Sequence, residues 1–156
     1  MYVLERPKVI TGFPRIAMLY NRKGFSDTTL EKPLIFPGDA ALGLSETINQ
    51  LESLLSNKNV NDYIFKPTHH AYERARRFLI EAHAIMGSHY SQPSIVPDGE
   101  GGIDIEWVRG GKEVLLCCRA SEAQRDYIYY QEGEKYGAHD ASVEYLRDRL
   151  NWLIQP

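Results

Sequence analysis

The chain has 156 residues, of which 43% are hydrophobic and 25% are charged, and its formal net charge is −3. A chain of this length and composition buries enough apolar surface to fold as one domain without a disulfide or a structural metal. Its weakly acidic balance argues against nucleic acid or an acidic membrane as the main partner, because proteins that bind these usually carry a basic surface.

Residues 1–40 are expected to form an irregular N-terminal arm or added strands, and residues 41–156 a single domain. Proline and glycine interrupt the arm at Pro7, Gly12, Pro14, Gly24, Pro33, Pro37 and Gly38. No run between them reaches the length of a helix. The apolar pieces that remain, of which 16–20 is the best strand candidate, predict an arm that packs either on the domain or on a partner.

Three helices are predicted after the arm. The first spans 44–55, and the longest spans 67–86, with a wide apolar stripe and Gly87 as its stop. The last helix covers 141–154, and Asp140 is positioned to cap it. Its apolar residues recur at helical spacing: Val143, Leu146, Leu150 and Leu153.

A hairpin is the most regular pattern in the chain. The segment 103–107 alternates three large apolar residues with two carboxylates, which is typical of a half-buried strand. Gly110 and Gly111 supply a two-residue turn. The segment 113–118 then returns as a nearly continuous apolar run, which is typical of a central strand.

The remaining strands are shorter. Residues 94–96 predict a brief edge strand and 126–131 a third strand of the meander, whereas 132–139 is expected to be a loop. The order of elements predicts an α+β fold. In it, a three- to four-stranded antiparallel meander packs with a long central helix and a C-terminal helix, beside the irregular N-terminal arm.

The two cysteines, Cys117 and Cys118, are adjacent in a predicted strand, so their side chains point to opposite faces and no disulfide joins them. His69 and Glu73, one helical turn apart, offer two metal ligands but no third. We therefore predict neither a metal nor a cofactor. With no signal-peptide pattern and no membrane-length apolar run, we expect a cytoplasmic protein with reduced thiols and no membrane partner.

Tyrosine is the one residue type in excess, with 10 among 156 residues. Some of these side chains are expected simply to bridge core and surface, but tyrosine is also enriched at interfaces. Together with the apolar arm, the pattern predicts a non-enzymatic protein–protein interaction module, such as an accessory, regulatory or antitoxin-like subunit of a bacterial system. The residues predicted to form its surface are Ile16, Met18, Tyr20, Tyr127, Tyr129 and Tyr130.

Two alternatives remain open. Arg74, Arg76 and Arg77 on the long helix form a basic patch that could bind nucleic acid, although interleaved glutamates are typical of a solvated helix face. Asp104 and Glu106 project from one strand face about 7 Å apart, a spacing compatible with a small hydrolase. Carboxylates on the solvent face of a strand are, however, the ordinary arrangement.

The stretch from Pro93 to Trp107, PSIVPDGEGGIDIEW, resembles a segment of small uncharacterised bacterial proteins. In these proteins a proline-rich lead-in and a glycine turn precede an Ile-x-x-Glu-Trp strand and hairpin. The resemblance covers residues 67–131 at most. It implies a helix followed by a hairpin and an accessory protein of the bacterial cytosol, and it implies no catalytic residues.

Overall fold

The computed structural model describes residues 39–56 and 66–156, with side chains from residue 43 onward. Almost all of the predicted arm lies outside these residues, and so do Ile16, Met18 and Tyr20 of the predicted surface. The expectations for that part of the chain stay predictions.

Three α-helices are present in the described residues: α1 (Asp39–Ser56), α2 (His69–Met86) and α3 (Val143–Ile154). Each matches a predicted helix, although α1 begins earlier than expected. Thr68 caps α2, because its Oγ1 accepts a hydrogen bond from the Ala71 N–H at 3.1 Å. Gly87 ends α2 with a φ of 53°, as predicted.

Helix α3 is capped by Ser142 and not by Asp140. The Ser142 Oγ accepts a hydrogen bond from the Tyr145 N–H at 3.1 Å. Asp140 instead ends a strand, and its carboxylate accepts a hydrogen bond from Arg125 at 3.0 Å. The prediction for Asp140 is wrong because Asp and Ser are equally good caps, and the extended backbone continues far enough to leave Ser142 at the helix start.

The described residues contain a five-stranded antiparallel sheet whose spatial order follows the sequence. Its strands are β1 (Ser94–Pro97), β2 (Ile103–Arg109), β3 (Lys112–Cys118), β4 (Tyr127–Glu132) and β5 (Lys135–Asp140). The predicted α+β class is confirmed, and so is the hairpin. The number of strands is five instead of three or four.

The additional strand is β5, which lies in the segment predicted to be a loop. Gly133, with a φ of 57°, and Glu134 form a two-residue turn that folds β5 back on β4. Five of the six residues of β5 are exposed, so burial imposes no apolar alternation on the sequence KYGAHD. Pairing with β4 therefore determines its conformation.

The hydrophobic core lies between the helices and one face of the sheet. Trp107 of β2 and Leu116 of β3 belong to one buried cluster with Leu79 of α2 and Leu150 of α3. Each such side chain stabilises the fold by roughly 1.5–3 kcal/mol relative to an exposed one. The predicted apolar face of β2 is thus confirmed as a core face.

The opposite face of the sheet also contains buried residues. Leu115 and Cys117 of β3 are buried there and do not belong to the core cluster, whereas Cys118 does. Neither cysteine forms a disulfide. Their placement on opposite faces follows from the alternation of a strand, as predicted.

Candidate interaction surface

The tyrosines of β4 divide between the two faces of the sheet. Tyr127 and Tyr129 point away from the core and Tyr130 packs against it. Tyr129 stacks on Tyr136 of β5, with ring centroids 6.3 Å apart and an angle of 24° between the planes. Tyr129 is buried, whereas Tyr136 is 71% exposed. The stacked pair therefore leads from a buried position to the protein surface.

Sequence reasoning missed Tyr136 because the segment that holds it was taken to be a loop. The signal that could have revealed it is Gly133, which favours a tight turn directly after the predicted third strand. With that turn in place, the register brings Tyr136 opposite Gln131. The neighbouring Tyr129 then comes within stacking distance.

Burial raises the pKa values of the Tyr127 and Tyr129 phenols above their ordinary value. The nearby Cys117 adds to this effect for Tyr127, and the charge of Glu113 adds to it for Tyr129. Both phenols are therefore neutral hydrogen-bond donors at physiological pH. The Tyr129 hydroxyl donates to Oε1 of Gln131 at 2.9 Å.

Tyr130 connects β5 with α3 on the core side of the sheet. Its ring packs edge to face on Trp152, with centroids 5.7 Å apart, and the guanidinium of Arg149 lies 4.6 Å from its ring centre. The ring also leans over Gly137, where a Cβ would be only 2.7 Å from Cε1 of Tyr130. Glycine is required at this position by the close approach of the ring. Tyr130 is thus separated by the sheet from the other two predicted tyrosines.

Asp104 and Glu106 lie on the face of β2 that points away from the core, as predicted, and Glu106 is 8% exposed. Glu113 of β3 joins them, because the register sets it opposite Val108 and hence diagonal to Glu106. Burial, the charge of Glu106 and a hydrogen bond with Glu106 raise the pKa of Glu113 to about 7. Glu113 is therefore partly protonated near neutral pH and can then donate a hydrogen bond to Glu106. Sequence reasoning missed Glu113, which only the hairpin register brings to this position.

One of the three arginines in the predicted basic patch on α2 already forms an ion pair within the protein. Arg74 donates from Nε to Oδ2 of Asp126 at 2.6 Å, and its guanidinium lies 5.1 Å from the centre of the Phe78 ring. Arg76 and Arg77 are exposed. Arg74 is therefore held against the sheet, and the set of three arginines does not form a continuous basic face.

A polar cleft of about 560 Å³ lies beside Arg74, between α2, the loop that follows β3 and the residues before α3. Its charged groups are largely matched, since Arg74 pairs with Asp126 and Arg125 with Asp140. Nothing in the sequence pointed to this cleft, because its lining comes from three distant segments. Within residues 39–56 and 66–156, no group of three or more His, Cys, Asp or Glu side chains is arranged to hold a metal ion.

No helix in the part of the chain that the structure describes is both long enough and apolar enough to cross a membrane. Comparison with known proteins gives no significant match to a family model, to a curated protein or to a solved structure. The resemblance of residues 93–107 to bacterial proteins therefore stays a prediction, and the geometry is the basis for assigning a function.

Proposed function

We propose that this chain is a non-enzymatic protein–protein interaction module, an accessory, regulatory or antitoxin-like subunit of a bacterial system. The observation that carries the proposal is Tyr136, a large side chain that is 71% exposed and is held in place by stacking on buried Tyr129. An aromatic ring that is already ordered loses little conformational entropy when a partner covers it. Such residues often dominate the binding energy of an interface.

The surroundings of Tyr136 support the same function. Aromatic side chains are concentrated at the β4–β5 end of the sheet, with Tyr129 and Tyr136 on one side and Tyr130 and Tyr145 on the other. On the Tyr130 side of the sheet Arg149 lies against these rings, and a mixture of aromatic rings and an arginine is typical of interface cores. The residues expected to contribute from the N-terminal arm are Ile16, Met18 and Tyr20.

The test is a pull-down of the tagged full chain from its native host, analysed by mass spectrometry. We expect a stoichiometric protein partner that is lost with Tyr136→Ser and retained with Ile80→Ser. Ile80 is the matched control because it is also a large exposed side chain, 41% exposed, and it lies on α2, which packs on the opposite face of the sheet from Tyr136. If the wild-type chain retains no stoichiometric protein, the proposal fails.

The arm is tested in the same experiment by replacing Ile16, Met18 and Tyr20 with serine in the full chain. Loss of the same partner places the arm in the interface. If this variant binds like the wild type while Tyr136→Ser does not, the interface excludes these three residues.

Neither alternative function has comparable support. Binding to nucleic acid would use Arg74, which already pairs with Asp126, and it would show as binding that falls steeply with salt. Hydrolysis by Asp104 and Glu106 is disfavoured by the burial of Glu106, which limits access of a substrate. Turnover that disappears in the Asp104→Asn, Glu106→Gln variant would establish an enzyme instead of a binding module.

A further inference from the structure

The two edges of the described sheet differ in how they are protected against pairing with another chain. Strand β1 has four residues, three of them half-buried, and it packs against α1. Strand β5 has six residues, five of them exposed, and contains no proline. Proteins commonly block an edge with proline, short strands or a covering element. By these criteria β1 is blocked, whereas no other strand of the described residues pairs with the outer edge of β5.

The hydrogen-bond pattern shows which main-chain groups the β5 edge presents. Because the turn at 133–134 has two residues, Lys135 exchanges main-chain hydrogen bonds with Glu132 of β4. In an antiparallel pair every second residue does the same, so Gly137 and His139 also bond to β4. The bond from the Ala141 N–H to the Asp126 carbonyl, 2.9 Å long, continues the same alternation. The N–H and C=O groups of Tyr136 and Ala138 therefore point away from β4, at the outer edge of the described sheet.

The proline on the opposite edge of the sheet lies at an outward-pointing position of its strand. The Asp98 N–H donates to the Gly102 carbonyl at 3.1 Å, so the neighbouring Pro97 occupies an outward position of β1. Proline has no N–H to offer there. The β1 edge thus lacks a donor at a position where β5 has one.

We propose that the β5 edge takes up an extended segment of another protein as a sixth strand of the sheet. This inference rests on the proposed function and deepens it, because it names the kind of partner and the groups that bind it. The partner segment pairs its main chain with Tyr136 and Ala138. It carries large apolar side chains at the two adjacent positions that face Gly137 and Ala138.

The shape of the edge determines those side chains. On the core face the Tyr130 ring occupies the space over Gly137, so the position beside Gly137 borders an aromatic ring. On the other face the small Ala138 lies directly opposite Tyr129 and two residues from the exposed ring of Tyr136. A large apolar side chain is the type that packs best against aromatic rings.

A second copy of this chain fits the edge poorly. Two β5 strands related by a two-fold axis pair over most of their length only when the axis passes through Gly137 or Ala138, so the central contact then consists of two small residues. The register around Gly137 also sets Glu134 opposite Asp140, and like charges directly opposite each other are destabilising. We therefore commit to a different protein as the source of the strand.

The first experiment measures amide hydrogen exchange by NMR on the unbound full chain. We expect rapid exchange at Tyr136 and Ala138 and slower exchange at Gly137 and His139, whose N–H groups face β4. Protection of Ala138 in a monomer would mean that another part of the chain already pairs with the edge. If the chain is a dimer and the Ala138 amide is protected, a second copy pairs with the edge. Either result overturns the proposal.

The second experiment selects binders for the immobilised full chain from a displayed library of random peptides of about ten residues, long enough to span a strand. We expect the selected peptides to share two adjacent large apolar residues and to slow exchange of the Ala138 amide. Ala138→Pro, which removes one outward N–H, is expected to weaken binding about tenfold or more. Ala138→Ser keeps the N–H and a small side chain, and it should bind within about threefold of the wild type.

The outcomes separate the two proposals. If a host protein is captured and lost with Tyr136→Ser but binds Ala138→Pro normally, the interaction module stands and strand addition is refuted. If neither a host protein nor a library peptide binds the wild type, both proposals fail. Should Ala138→Pro not fold, the exchange of the Ala138 amide on peptide binding decides the question, and an unchanged rate refutes strand addition.

Discussion

Arg74 on α2 and Asp126 before β4 form a hydrogen-bonded ion pair, with 2.6 Å between Nε and Oδ2. The Asp126 carboxylate also accepts a hydrogen bond from the Arg119 N–H at 2.8 Å, and its side chain is only 6% exposed. One carboxylate thus connects the central helix with the ends of two strands. Its loss would leave a main-chain donor and a guanidinium without their acceptor.

We expect Asp126→Ala to lower the free energy of unfolding by about 2–4 kcal/mol, because the groups it leaves behind are partly buried. The matched control is Arg125→Ala, which removes the exposed pair between Arg125 and Asp140. Exposed ion pairs contribute at most about 1 kcal/mol. Urea denaturation of both variants checks this, and equal effects would contradict the central role of Asp126.

The pair of Glu106 and Glu113 makes stability depend on pH in an unusual direction. The pKa of Glu113 is raised from 4.5 to about 7, so between these values the folded protein holds a proton that the unfolded chain has released. The contribution of this pair to the free energy of unfolding is complete below pH 4.5. It falls as pH rises toward 7 and is constant above that. Partial exposure of Glu113 screens the effect to an order of 1 kcal/mol.

Glu113→Gln, which remains neutral at every pH, should remove this fall. The measurement is the difference in unfolding free energy between wild type and variant from pH 4.5 to pH 8, because other carboxyls contribute equally to both proteins. The unfolding free energy of the variant is expected to increase relative to that of the wild type as pH rises. A difference that stays constant over the whole range would show that the pKa of Glu113 is not raised in the folded protein.

The contact between Tyr130 and Gly137 makes a steric prediction. Gly137→Ala would bring a Cβ to 2.7 Å from the Tyr130 ring, so the ring must move from its place beside Trp152 and Arg149. We expect a loss of about 1–3 kcal/mol of stability. In a Tyr130→Leu background the same substitution should cost much less, and a double-mutant cycle measures the difference. Additive effects would refute the close contact.

Thr68 has two roles at the start of α2. Its hydroxyl accepts from the Ala71 N–H at 3.1 Å and donates to the Ala120 carbonyl at 2.7 Å. We expect Thr68→Ala to cost about 1–3 kcal/mol, since both the cap and a tertiary hydrogen bond are lost. Ser142→Ala, which removes a cap on α3, is the control and should cost about 1 kcal/mol. Thermal unfolding of both variants provides the comparison.

Much of the fold could be predicted because its elements are buried on one side. Trp107 and its neighbours alternate with polar residues because the helices cover one face of β2, and α2 shows its stripe for the same reason. Where burial is absent the signal disappears. Strand β5 is exposed, so nothing in its side chains marks it as a strand, and only the glycine of the preceding turn gave a hint.

The candidate surface was less predictable because it depends on register. Tyr127 and Tyr129 lie on one face and Tyr130 on the other, which follows from alternation along a single strand, a local property. Tyr136 and Glu113 were missed because they reach the surface only through pairing with a neighbouring strand. The choice between Asp140 and Ser142 as a cap depends in the same way on where strand β5 ends.

The strand order of the sheet also bears on how the protein folds during synthesis. Each strand pairs with the one made just before it, so every hairpin can close soon after it leaves the ribosome, because pairing between neighbouring strands is local in sequence. The apolar face of the sheet is nevertheless incomplete until α3 supplies Leu146, Leu150 and Leu153. During that interval the part of the core face that α3 later covers is exposed, which is when a chaperone or an early-binding partner would protect it from aggregation.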